Sequence, residues 1–238
     1  KKESVRWLDN LRHSIELLGS PERCVHIADR ESDIYELYCL SQDLGTHFLV
    51  RTCVDRLAGD GQHTIATEME EVQVKGLHHV EVRDVNGDLT RVALELKFKK
   101  IVVQPPIGKQ KHYPPLRLTV LCATERNPPK GRKAIEWKLI TDLPVRSRQE
   151  AIEKINWYAM RWKIEVFHKV LKTSNSERNL EPLHLWVIES SAGCLRKEKL
   201  QAPENTGRPG RDPLSQIQMC EIFWTVPAAP ECHRWFQT

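Results

Sequence analysis

Tyr158, Arg161, Glu165 and Lys172 carry side chains that could together handle a phosphate group. With about 100° per helical residue and Tyr158 at zero, Arg161 falls near roughly 300° and Glu165 near about 340°. Lys169 then lies at about 20° and Lys172 at about 320° on the same wheel. Ile152, Ile155, Ala159, Val166, Phe167, Val170 and Leu171 spread over the other side, from roughly 60° to 220°. The pattern predicts one helix that buries a broad apolar face and exposes a narrow stripe of one phenol, one carboxylate and three cations. Such a stripe suits a phosphate backbone with a metal ion beside it. A guanidinium can grip phosphate oxygens bidentately, ammonium groups add point charge, and a hydroxyl can donate. The spacing also fits plain surface ion pairs, Arg161 with Glu165 and Glu165 with Lys169, worth a few tenths of a kcal/mol.

A second constellation lies upstream, in Ile27-Ala28-Asp29-Arg30-Glu31-Ser32-Asp33-Ile34. Cys24–Ala28 reads as a short buried strand, so Asp29 stands at the end of a rigid element. From there its carboxylate can reach a metal ion shared with Glu165, or simply cap the following turn. In-line displacement at a phosphodiester uses two divalent ions about 3.5–4 Å apart to activate the attacking oxygen and neutralise the leaving one. Mg²⁺ and Mn²⁺ prefer carboxylate oxygens, with water and phosphate completing the shell.

The order Tyr-x2-Arg-x3-Glu-x6-Lys resembles the YREK signature of bacterial insertion-sequence DDE transposases, the group that includes the transposon-five transposase. The segment from Asp29 to Ile34 is similar to that group's Asp-Arg-Glu-x-Asp-Ile motif. The resemblance covers roughly residues 1–173 and implies an RNase H-like α/β core with a β-rich insertion. It implies DNA transposition, by metal-dependent cleavage and strand transfer at transposon ends, with Mg²⁺ or Mn²⁺ as cofactor. Asp29 and Glu165 match the second and third acids of the DDE triad, and would be both catalytic and metal-binding. Tyr158, Arg161 and Lys172 match residues that hold the strand near the cleavage site, and Lys169 adds charge on the same stripe. Arg51 matches an arginine at the DNA site. Trp137 matches a tryptophan that stacks on a flipped base, while read as a strand residue it is equally a core aromatic. Partners follow: DNA at transposon ends and targets, and dimerisation with a full-length transposase.

Two departures temper that expectation. The family's first aspartate belongs on an earlier strand. Upstream of Asp29 the acids are Glu3, Asp9, Glu16 and Glu22, and none follows an apolar strand. The expectation is therefore an inactive or partial copy, weak in metal and slow or inert in cleavage. The alternative is a non-catalytic fragment that binds DNA or a transposase and inhibits it, or a relic without function. After Lys172 the family's long apolar helices are not recognisable. Residues 201–214 are rich in Pro, Gly and charge, so 174–238 is expected to be a divergent, poorly ordered tail with a short helix at Leu183–Ser191. A shifted reading frame and a lineage-specific tail would both read this way.

The elements that must position these residues are legible. Val5, Trp7, Leu8, Leu11, Ile15 and Leu18 recur at helical spacing until Gly19-Ser20-Pro21. After the strand Cys24–Ala28, Ser32 is expected to cap a helix carrying Ile34, Leu37 and Leu40 that finishes near Gly45. His47–Arg51 is a second strand. Residues 1–51 thus read as the first part of an α/β core. From 52 to 143 the period changes to two: Val80 and Val82 before the hairpin signal Asn86-Gly87, then Val92, Leu94, Leu96 and Phe98, then Leu116, Leu118 and Val120, and a last strand from Trp137 to Ile140. Ser147 and Glu150 form a capping box that opens the signature helix over 144–173.

Composition sets looser bounds. The net charge of +4 in 238 residues permits a polyanionic partner without demanding one. Seven cysteines are scattered without metal-ligand spacing, and those before residue 130 are expected to be buried free thiols. No signal peptide and no apolar run of membrane-spanning length is seen, so a cytoplasmic protein is expected and no membrane partner.

Overall fold

A computed structural model describes residues 3–83 and 89–161, together with the backbone of strands 184–189, 194–199 and 224–227. Helix α1 (Glu3–Leu18) leads into strand β1 (Cys24–Ala28), helix α2 (Tyr35–Asp43) and strand β2 (His47–Arg51). Short strands β3 (Leu57–Ala58) and β4 (His63–Thr64) and helix α3 (Ile65–Glu70) follow. Then come the long strands β5 (Gly76–Arg83), β6 (Leu89–Val103), β7 (Leu116–Glu125) and β8 (Glu136–Thr141), and helix α4 (Arg148–Met160). The later strands are β9 (His184–Glu189), β10 (Cys194–Lys199) and β11 (Trp224–Pro227).

β1 and β2 are parallel and joined across α2, the unit the alternating pattern predicted. The β-rich block does not form a sheet of its own. β8 pairs antiparallel with β2, placing Arg51 opposite Leu139, and the order runs β11-β1-β2-β8-β7-β6-β3-β4 with β5 also on β6. The result is a mixed α/β architecture on an open nine-stranded sheet, with β9 and β10 forming a separate two-stranded ladder.

Because side chains alternate along a strand, the sheet separates two cores. Ala28, Phe48, Val50, Val103, Leu118 and Ile140 face α1, α2 and α3. Val25, Ile27, Leu49, Leu96, Leu121 and Leu139 face α4. β1 is buried on both sides, as a central parallel strand must be. Gly45, at φ 68°, ends α2 in the left-handed conformation that frees the chain to turn into β2.

Several expectations are corrected. Ser32 does not cap α2: it lies in a 3₁₀ turn, Arg30–Ser32, and its hydroxyl donates to the Asp29 carbonyl at 2.7 Å. Ile34 occupies the N-cap of α2 without a side-chain cap bond. Cys53 is exposed rather than buried, because it falls in the loop just past β2, whereas Cys24 and Cys39 are buried thiols. Within the tail, 184–189 is a strand paired with β10, not a helix. The run His184-Leu185-Trp186-Val187-Ile188 is aromatic and β-branched, and that composition fits a pleated ladder better than a helix. β11 pairs antiparallel with the outer edge of β1, so this part of the tail expected to be poorly ordered is a sheet strand. Ser147 does cap α4, accepting from the Glu150 amide at 3.2 Å, and Glu150 returns a bond from the Arg146 amide at 2.6 Å.

Candidate functional site

Asp29 follows the last residue of β1, and Arg51 is the last residue of β2. Both share the parity of Ile27 and Leu49, so both belong to the α4 side of the sheet. Trp137 lies near the start of β8, opposite Ala123 and on the same side as Leu139. α4 crosses this face and brings Tyr158 and Arg161 over the same corner. Five residues expected at a DNA site thus meet, contributed by four separate elements.

The contacts are specific. The Tyr158 hydroxyl donates to Asp29 Oδ1 at 3.1 Å, and Arg161 Nη2 donates to Asp29 Oδ2 at 3.3 Å. Arg51 Nη1 stands 3.9 Å from Asp29 Oδ1, while its Nη2 donates to the Glu136 carbonyl at 3.2 Å. Trp137 packs edge-on against the Tyr158 ring at 5.6 Å between centroids, and the Arg161 guanidinium lies 5.8 Å from that ring. Burial raises the Tyr158 phenol above its ordinary pKa. The Asp29 carboxylate adds to the rise, and Arg51 and Arg161 oppose it. The phenol therefore stays a proton donor at neutral pH. Asp29, Arg51 and Arg161 side chains keep 34%, 26% and 23% of their surface, so the corner is open to a ligand while its parts are half held by the fold.

The expected exposed stripe is corrected here. α4 buries Ala151, Lys154, Ile155, Trp157 and Tyr158, and Tyr158 itself is 4% exposed. The side carrying Tyr158 turns toward the sheet, and Arg161 stands at its edge. The wheel reading took its apolar side from residues 166–171 as well, which lie outside the described residues. Glu165, Lys169 and Lys172 lie outside them too. Tyr158 spends its hydroxyl on Asp29.

A buried network escaped the sequence reading. The Asp33 side chain is wholly buried and pairs with Arg56 Nη1 at 2.6 Å. Asp33 accepts from the Tyr38 hydroxyl at 2.5 Å, the Thr52 hydroxyl at 2.7 Å, and the Cys53 and Val54 amides at 2.7 and 2.9 Å. Burial pushes the Asp33 carboxyl up, but Arg56 and these hydrogen bonds outweigh it and hold the group below its ordinary range. The network ties the turn after Asp29 to the loop after Arg51, and so fixes the two residues relative to each other. Asp33 is the second aspartate of the upstream motif, which was a signal. Nothing in the sequence singled out Arg56.

Among the described residues, no three His, Cys, Asp or Glu side chains converge as a metal-holding group. Asp29 instead faces two guanidinium groups, which favour an anion over a divalent cation. The described residues alone do not fit the two-metal arrangement expected for strand cleavage. They do fit a phosphate, since two arginines flank one carboxylate and their guanidinium forks can donate bidentately to phosphate oxygens. No helix among the described residues is long and apolar enough to cross a membrane. No protein-family model matches the chain.

Proposed function

We propose that this chain is a transposase-family protein that grips the sugar–phosphate backbone of DNA at the Asp29 corner, and that it does so without turnover. The observation that carries the reading is the convergence of Asp29, Arg51, Trp137, Tyr158 and Arg161 from four elements far apart in sequence. Ordinary surface ion pairs form between neighbours on one helix. Here a strand-end carboxylate, a strand arginine, a strand tryptophan and a helix terminus meet beside an open face. The RNase H-like identity of the core, and the roles of Glu165, Lys169 and Lys172, belong to this same reading. Arg161 and Arg51 grip phosphate oxygens, Tyr158 keeps Asp29 oriented, and Trp137 offers an aromatic edge to a displaced base. Mg²⁺ or Mn²⁺ would require Asp29 together with Glu165.

The test has two arms. DNA binding should weaken steeply with salt, and the double variant Arg161→Ala plus Lys172→Ala should lose at least ten-fold in affinity, with a salt slope shallower by about two. Binding that ignores salt, or survives the double change, sinks the reading. In the second arm, supercoiled DNA is incubated with Mg²⁺ or Mn²⁺. The chain should nick it no faster than Asp29→Ala plus Glu165→Ala, and nicking above that control would make it a working nuclease instead.

A further inference from the structure

The loop between β7 and β8 reads Arg126-Asn127-Pro128-Pro129-Lys130-Gly131-Arg132-Lys133, four cations and no acid in eight residues. It stands at the same end of the sheet as the Asp29 corner. The rungs nearest to it are Ala123 opposite Trp137 and Thr124 opposite Glu136, and the Glu136 carbonyl is the one that anchors Arg51. Lys133 precedes Trp137 by four residues, so it lies at most roughly 13 Å from it at about 3.3 Å per strand residue.

The loop is built rather than loose. Glu125, with 2% of its side chain exposed, receives Arg132 through both guanidinium nitrogens, Nη1 at 2.7 Å and Nη2 at 2.5 Å. Glu125 also accepts from the Ile135 amide at 3.0 Å. Hydrogen bonding from Arg132 depresses the Glu125 carboxyl pKa, so the clamp stays charged. Pro128 and Pro129 restrict the backbone, and Asn127 (φ 55°) and Gly131 (φ 102°) take the left-handed turns. Arg132 is thus spent on holding the loop. Lys130 and Lys133 are exposed, and Arg132 Nη1 also donates to the Lys133 carbonyl at 3.2 Å. The Arg126 amide is held by the Ala93 carbonyl at 2.8 Å, while its half-exposed guanidinium makes a rim contact with Glu95 at 3.5 Å that a phosphate could displace. A rigid loop that spends one cation to aim three others gains binding by avoiding ordering cost.

We propose that this loop is a second phosphate-contacting element, in which Lys130, Lys133 and Arg126 hold the DNA strand that leaves the Arg51–Arg161 corner. The proposal rests on the reading of that corner as a DNA site. At about 3.4 Å of duplex axis per phosphate on one strand, the contact falls about four nucleotides away.

The test measures affinity of the full chain for a labelled DNA duplex of arbitrary sequence over a salt series. It compares wild type, Lys130→Ala plus Lys133→Ala, Arg161→Ala plus Lys172→Ala, and a charge-matched control, Lys100→Ala plus Lys111→Ala. Lys100 and Lys111 are exposed and lie away from this end of the sheet. The loop variant keeps Gly131, Arg132 and Glu125, and melting curves verify its fold. The salt slope should fall by about two, so that the affinity gap to wild type changes about ten-fold between roughly 50 and 200 mM salt, while the control stays near wild type. A loop variant that matches the control, while the corner variant loses binding, overturns the loop and leaves the corner standing. Wild-type protein without salt-dependent DNA binding overturns both.

Discussion

At the scale of single residues, the corner is an electrostatic compromise. Asp29 holds Arg51, Tyr158 and Arg161 in place, but it also occupies the groups that would receive a phosphate and repels the phosphate itself. Removing its charge should therefore strengthen binding. Asp29→Asn, in metal-free buffer, is expected to bind DNA several-fold more tightly than wild type, whereas a phosphate site that needs a cation bridged by Asp29 would weaken. Titration in chelator decides between them. Asp29, Arg51, Trp137, Tyr158 and Arg161 were all named from sequence, because each matched a position in a spaced motif. What the sequence misjudged was the direction of Tyr158. A helical wheel ranks residues by the polarity of their neighbours, and a tyrosine can bury its ring while its hydroxyl serves a polar partner.

At the scale of elements, the buried Asp33–Arg56 pair joins the turn after β1 to the loop after β2. Breaking such a pair from one side strands the other charge in the interior, at a cost of about 3–5 kcal/mol. Asp33→Asn should lower the urea midpoint accordingly, and Asp33→Asn with Arg56→Met should recover a good part of the loss. An additive loss in the double variant would show that the two do not act as a pair. The folded-state pKa of Asp33 is lowered, so its contribution is complete above the ordinary carboxylate value and is lost as pH falls through the lowered one. The single variant should therefore differ least from wild type in strong acid. The elements themselves were well marked: Cys24–Ala28 and His47–Arg51 are strands at the boundaries their apolar runs indicate. The miscast segments were the start of α2 and 184–189. A serine at helical distance is a cap only if the backbone turns there, and a short apolar run has no period long enough to separate strand from helix.

At the scale of the whole molecule, two histidines, His26 in the middle of β1 and His47 at the start of β2, give the fold opposing pH responses. Burial lowers the His26 pKa to about 4, helped by the nearby His47, and its ring meets Thr46 at 2.8 Å. Between about 6.5 and about 4 the unfolded chain takes a proton that the folded chain refuses, so stability falls as pH falls, by about 3 kcal/mol at most. His47, raised chiefly by its hydrogen bond to Asp142 at 2.6 Å, acts the other way: its contribution is complete below the ordinary histidine value and is lost as pH rises through its raised one. His26→Gln should flatten the acid side of the melting-temperature profile. An unchanged acid side would assign that loss to other groups. His26 stood in an apolar strand and gave no sign of this, because its titration depends on what covers the strand. That contrast holds for the protein as a whole. The sequence by itself determined where β1, β2 and the start of α4 lie, since periodicity and capping act over a few residues. Only the tertiary structure decided that β8 joins β2 in one sheet, that α4 turns Tyr158 inward onto Asp29, and that the basic β7–β8 loop stands beside them. Those outcomes depend on strand pairing and on burial against distant segments, and no local pattern carries that information.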